Sequence, residues 1–231
     1  KIERLELIEL SLRPPRNPTF LDSLGRALLQ YDDDESRARG YFLKGLSATF
    51  KGAIDSASNN YLQSLALIPL GGQYDKRFTY FMGLKNVGIS YYRRNRQRQG
   101  DSIFNSMAKM ALESSDSFHY ASALSNLGNG MILSRNFEGA IEKLMEAILI
   151  EEALGSSGVS SSYLKIGTIF GRMNQPEEAL VWFRKSKAVV TEDNLRLQGR
   201  IFNNIAVAWR TIGDIDSAQY YLMSALAIHT K

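Results

Sequence analysis

Asn86, Asn126, Lys165 and Asn204 follow one another at intervals of 40, 39 and 39 residues. Three amides and one amine therefore recur at one position of a repeating pattern. A carboxamide both donates and accepts hydrogen bonds, so a row of them can pair with the backbone of an extended polypeptide whatever its side chains. A lysine in the same row adds a point charge that suits a carboxylate. The competing use of an asparagine at such a position is to cap or brace neighbouring helices. Residue type alone leaves both uses open.

Other reactive chemistry is sparse. The chain has two histidines, His119 and His229, and no cysteine. Neither histidine has a partner at metal-ligand spacing, and each reads as a surface or helix-end residue. Without cysteine there is no disulfide, thiolate catalysis or cysteine metal site. Gly128-Asn129-Gly130 falls inside a helical stretch, not in a strand-to-helix turn, so it is no nucleotide fingerprint. Gly155-Ser156-Ser157-Gly158 lacks the spacing of a nucleophile elbow. Glu151-Glu152 and Glu177-Glu178 are adjacent and splay apart on a helix, as solvated charge. The expectation is a chain with no catalytic residues, no metal site and no cofactor. The densest charge is Arg93, Arg94, Arg96 and Arg98 in Tyr91–Gln99. These arginines read as a solvated turn. Contact with phosphate or an acidic peptide is the alternative, and the net charge of only +4 argues against a broad nucleic-acid face.

The elements that position these residues are set by a second periodicity. Gly45, Gly88, Gly128, Gly167 and Ala206 recur at 43, 40, 39 and 39 residues. Three positions later stand Ala48, Tyr91, Met131, Phe170 and Trp209. Twelve later stand Ala57, Gly100, Ala140, Ala179 and Ala218. Sixteen later stand Tyr61, Phe104, Leu144, Phe183 and Leu222, and nineteen later Ser64, Met107, Ala147, Ser186 and Ala225. Spacings of three and four keep residues on one helical face. Each unit thus reads as two helices, with small residues allowing close approach and large ones filling the space between. Pro176 suits a first helical position after Asn174-Gln175, with Glu177 and Glu178 in the first turn. Gly213-Asp214 and Gly100-Asp101 read as the equivalent break in other units.

This pattern resembles the tetratricopeptide repeat (TPR). It is carried by Leu127-Gly128, Met131, Ala140, Leu144 and Ala147, by Ile166-Gly167, Phe170, Ala179 and Phe183, and by Ile205-Ala206, Trp209, Ala218, Leu222 and Ala225. Pro69 matches the terminal proline of the family motif in the first unit. Gly100 and Met107 depart from the second. The units exceed the family's usual period of about 34 residues, as in kinesin light chains and bacterial signalling proteins. The extra residues are expected to lengthen the second helix and the loop after it.

The resemblance implies an all-α, right-handed solenoid of about five helix pairs behind an N-terminal helical cap. The cap covers residues 1–36. The array covers 37–231, in units 37–79, 80–119, 120–158, 159–197 and 198–231. It also implies a concave groove lined by the first helix of each pair. Asn86, Asn126, Asn129, Lys165, Asn204, Arg210, Lys85 and Tyr92 are its candidate ligand-binding residues. The family's five-residue clamp for a C-terminal carboxylate is not reproduced, since Ser125 stands where a lysine belongs.

Before the repeats, 1–12 reads as an amphipathic helix with Leu5, Leu7, Ile8 and Leu12 apolar. The prolines of 13–18 break it. A second helix spans Phe20–Tyr31, and Asp32–Glu35 forms a loop or helix start. No apolar run approaches the ~18–20 residues of a membrane helix. The chain begins with Lys1 and shows no signal-peptide pattern. Its last helix carries Tyr220, Tyr221, Leu222, Ala225, Leu226 and Ile228, with nothing after it to cover the open side. An excised piece of a longer protein is therefore expected, and the uncapped helix also offers a surface for self-association. The expected function is binding of a peptide or protein segment, as the sensory or scaffolding region of a larger bacterial signalling or transcription-regulatory protein. A free-standing assembly adaptor is the alternative, and a nucleic-acid-binding repeat protein ranks last. The compartment, cytoplasmic or periplasmic, is left open.

Overall fold

In the computed structural model, residues 2–12, 17–67 and 74–229 are described. Pro69 and the segment 13–16 lie outside them, as does the side chain of His229. The described residues form twelve α-helices and no strand: α1 Ile2–Leu12, α2 Pro18–Leu28, α3 Asp34–Phe50, α4 Ile54–Ala66, α5 Tyr74–Arg93, α6 Gln97–Glu113, α7 Ser117–Leu133, α8 Phe137–Ala153, α9 Val159–Arg172, α10 Pro176–Val189, α11 Leu195–Ile212 and α12 Ile215–His229. Among the described residues the helices from α1 to α5 pack each on the next, as do those from α7 to α12, and α6 packs on α5, the arrangement of a helical-repeat solenoid. The chain divides into two compact units, Lys1–Met107 and Ala108–Lys231.

One turn geometry sets the register of every pair. The residue seven after each repeated small residue has a left-handed backbone: Gly52, Asn95, Arg135, Asn174 and Gly213. The following N–H donates to a carbonyl five residues back. These bonds are Ala53 to Ala48, Arg96 to Tyr91, Asn136 to Met131 and Gln175 to Phe170, each 2.9 Å, and Asp214 to Trp209 at 3.1 Å. Such a bond satisfies a helix-end carbonyl and sends the chain back antiparallel. Only two of these five sites carry glycine, which is why the turn is hard to see in the sequence. Gly100 is not one of them. It lies inside α6, and the break in that pair belongs to Asn95.

Packing inside each pair follows size. An added Cβ would meet the Tyr61 ring at 2.6 Å from Gly45, the Phe104 ring at 2.6 Å from Gly88, Leu144 at 2.8 Å from Gly128 and the Phe183 ring at 2.4 Å from Gly167. The small residue of one helix thus seats the large residue of the other. Ala57, Ala140, Ala179 and Ala218, on the second helices, are buried. Gly100 departs from alanine for a local reason. Its Cβ would lie 2.4 Å from the Tyr92 ring, and Tyr92 is buried.

Extra length is distributed unevenly. Both α7 and α8 have 17 residues. Both α9 and α10 have 14, and the segment 190–194 follows. The two helices of each of these pairs are therefore equal in length, where the expectation placed the extra residues in the second helix and the loop after it.

At the N-terminal end, Asn17 caps α2 by accepting from Thr19 N at 3.0 Å and Phe20 N at 3.1 Å, with Pro18 opening the helix. Asp33 caps α3 through Ser36 N at 2.9 Å. The Asp33 carboxylate also receives Arg4 Nη2 at 2.6 Å, and that guanidinium holds it well below the usual carboxylate range. Leu21, Leu24, Leu28 and Leu43 form a buried cluster with Leu7 and Ile8 against it. On α12, Leu222 and Leu226 are exposed, whereas Tyr221 packs beside Phe202.

Candidate functional site

Within the second unit, α9 touches both α7 and α11, while α8 and α10 make no such contact with each other among the described residues. The first helices close up on one side and the second helices fan apart on the other. The inner wall of this unit is therefore α7, α9 and α11. Its accessible stripes are Ser122, Asn126 and Asn129 on α7, then Ser161, Lys165, Thr168 and Arg172 on α9, then Arg200, Asn204, Val207 and Thr211 on α11, all partly or fully exposed. No carboxylate stands among them, so the wall offers amides, hydroxyls and positive charge.

The candidate residues on this wall divide into committed and open groups. Lys165 Nζ donates to the Ser125 carbonyl at 2.9 Å and lies 2.7 Å from Ser125 Oγ. Ser125 in turn meets Ser162 Oγ at 2.9 Å in a buried contact. Lys165 thus braces α9 against α7, the alternative that the sequence left open. Asn126 is half committed: its Nδ2 donates to Ser122 O at 2.7 Å, one turn back on α7, and Oδ1 remains. Asn129 and Asn204 are half-buried and make no side-chain hydrogen bond among the described residues. Arg210 is exposed on the last turns of α11. Arg172, absent from the expected set, donates Nη1 to Ile132 O at 3.0 Å and so ties α9 to the end of α7. It stands seven residues after Lys165, two turns along the same face, and that spacing could have identified it.

In the first unit, Asn86 lies on α5 and lines a cavity of about 80 Å³ between α3, α4 and α5. Thr49, Tyr61, Ile89, Ser90 and Arg93 share its lining. The Asn86 Nδ2 atom is buried and has no hydrogen-bond partner among the described residues. Lys85, next to it, is half-buried. Tyr92 departs from its expected place in the groove. It is buried inside the α5–α6 pair, donates its hydroxyl to Asp101 Oδ1 at 2.7 Å and lies 5.4 Å from Phe104, centroid to centroid. Burial and the Asp101 carboxylate raise its pKa strongly. Its position four residues after Gly88 faces the partner helix, because a small residue at Gly100 makes room there.

The arginine run is not uniformly solvated. Arg96 and Arg98 are exposed. Arg93 is exposed too and borders the cavity, whereas Arg94 is half-buried and ion-paired with Asp55 of α4. His119 is buried in the first turn of α7, with Nδ1 2.7 Å from Asp116 Oδ2, while Asp116 Oδ1 caps the helix through His119 N at 3.0 Å. That carboxylate fixes a helix start. Among the described residues no group of three potential metal ligands occurs, and no helix is long and apolar enough to cross a membrane.

No family model matches the chain, and no curated protein matches its sequence. Solved structures do match. BtubC (BKLC) from P. vanneervenii superposes with a TM-score of 0.68 at 18% identity, over 92% of this chain and 88% of that one. The TPR-like repeats of a kinesin light chain from Podosopora anserina match with a TM-score of 0.58 at 15% identity, over 86% and 97%. The Rap conjugation gene regulator of plasmid pLS20, solved with the Phr* peptide, matches with a TM-score of 0.63 at 16% identity, over 92% and 68%. Helix pairing, the recurring turn and these superpositions agree: the chain has the tetratricopeptide-type repeat fold.

Proposed function

We propose that this chain is a binding domain for a peptide or protein segment, not a catalyst, and that the α7–α9–α11 wall is a recognition surface. The observation that carries the reading is the state of Asn129 and Asn204. Both are half-buried polar groups without side-chain hydrogen bonds among the described residues, on a wall whose accessible stripes also carry Arg172 and Arg200. Their amides remain accessible, and each can both donate to and accept from an incoming peptide group. The absence of carboxylates from the stripes favours a segment with acidic side chains. The Rap regulator solved with a peptide offers a precedent in the same fold, at an identity that carries the fold alone. Each pair contacts only its neighbours, so a ligand spanning α7, α9 and α11 would bias their relative angle. Such coupling suits the sensory or scaffolding part of a larger bacterial signalling or transcription-regulatory protein.

The test is affinity selection of extended peptides from a random library, followed by anisotropy titration of the best binder. Asn204→Ala combined with Asn129→Ala should weaken it by about tenfold or more, with the unfolding midpoint unchanged. Selected peptides that bind the double variant as tightly as the parent would refute the wall as the site.

A further inference from the structure

We propose that the cavity between α3, α4 and α5 is an anchor for one carboxylate side chain of a bound polypeptide. This rests on the reading of the chain as a polypeptide-binding domain, but concerns the other compact unit and a different set of residues. Ile89, Ser90 and Arg93 stand three, four and seven residues after Asn86 on α5, so the four present one face of that helix to the cavity. Thr49 of α3 and Tyr61 of α4 complete its polar lining.

The proton inventory decides what the cavity can hold. Thr49 Oγ1 lies 2.9 Å from the Gly45 carbonyl, to which it donates. The Tyr61 hydroxyl, 2.9 Å from Thr49 Oγ1, must then donate to that oxygen. Burial pushes the Tyr61 phenol up to about 12, so it keeps its proton, although the nearby Arg93 charge acts in the opposite sense. Ser90 Oγ donates to the Ile54 carbonyl at 3.4 Å. All three hydroxyl protons are thus engaged. The donors left are the buried, unpartnered Asn86 Nδ2 and the Arg93 guanidinium, which has no ion pair among the described residues. Among the described residues that line the cavity, Arg93 is the one charged group. A cavity with free donors and one positive charge selects an anion over an amide or a cation.

Size narrows the class. A volume of about 80 Å³ holds the equivalent of two or three waters at ~30 Å³ each. A carboxymethyl group fits this space. Apolar Ile54, Ala57 and Ile89 in the lining suit the methylene.

The experiment titrates the intact chain with N-acetyl-aspartyl-N-methylamide, followed by ¹⁵N–¹H correlation spectra. The readouts are the Asn86 side-chain amide and the backbone amides of Ile89 and Ser90. The aspartyl probe should shift them saturably, and its asparaginyl counterpart should not. Arg93→Gln should weaken binding by about tenfold or more, and Asn86→Ala by several-fold, read from the backbone amides. Arg96→Gln, at an exposed arginine nearby, should change nothing. Equal binding of the asparaginyl probe, no saturable shift, or an equal loss in Arg96→Gln overturns the proposal. Acetate binding as tightly as the aspartyl probe would overturn a polypeptide as the source of the carboxylate. Asn129→Ala/Asn204→Ala, which tests the α7–α9–α11 wall, should leave this titration untouched, so failure of either site is read separately.

Discussion

The pairs α5–α6 and α7–α8 share one register and solve it with different residues. Where α7 has Ile132 and α8 has Ala140, α5 has Tyr92 and α6 has Gly100. All four are buried in the space between their two helices. A large ring on one helix is matched by loss of the last side-chain carbon on the other, so the volume of the contact is held, not the residue type. The turns differ too: both are left-handed, but one is Asn95 and the other Arg135. The polar position two before the small residue differs again. Asn126 donates to its own helix, whereas Asn86 faces a cavity with its Nδ2 unpartnered. The same place in a repeat can therefore serve packing in one pair and leave a free donor in the next.

The sharpest way to break this comparison is to exchange the two packing solutions. Tyr92→Ala should remove a buried ring and cost about 3–5 kcal/mol in urea unfolding. Gly100→Ala alone should cost about 1–3 kcal/mol, because the new carbon runs into the Tyr92 ring. Tyr92→Ile with Gly100→Ala, the α7–α8 solution, should unfold within about 1.5 kcal/mol of the parent. If that double variant is no more stable than Gly100→Ala alone, the size-matching account fails.

A smaller effect of opposite sign is expected at the turns. Arg135 pays the side-chain penalty of a left-handed backbone that glycine avoids. Arg135→Gly should stabilise the chain by about 1 kcal/mol. Asn95→Gly should gain only a few tenths, since asparagine tolerates that conformation. Equal gains in thermal unfolding would mean that the two turns are not distinguished by backbone strain.

The asparagines give the smallest difference. Asn126→Ala loses a short-range hydrogen bond and should cost at most about 1 kcal/mol. Asn86→Ala removes an unpaired buried donor and should be neutral or slightly stabilising by the same urea measurement. A clear loss for Asn86→Ala would show that its amide is satisfied in solution, and would weaken the case for a ligand there.

The sequence by itself determined the repeat, its helical pairing and the burial of the small residues. Gly45, Gly88, Gly128 and Gly167 recur with the large residues that they seat, and both partners of each contact lie within one short stretch of chain. Helical spacing turns such local order directly into faces. The helix start at Asp32–Glu35 was legible for the same reason, since its cap is a bond of Asp33 to a near neighbour, whereas the cap at Asn17 lay in a segment read only as a break. What the tertiary structure alone decided is which polar side chains are spent. Lys165 and Asn126 belong to one sequence ladder with Asn86 and Asn204, yet Lys165 is consumed by Ser125, 40 residues away. Tyr92 carries the side chain of a binding residue but is taken up by Asp101 and the space above Gly100. A hydrogen bond between helices depends on distances of a few tenths of an ångström that no periodicity encodes. Whether an amide is a brace or a free donor is therefore settled only when the neighbouring helix is in place.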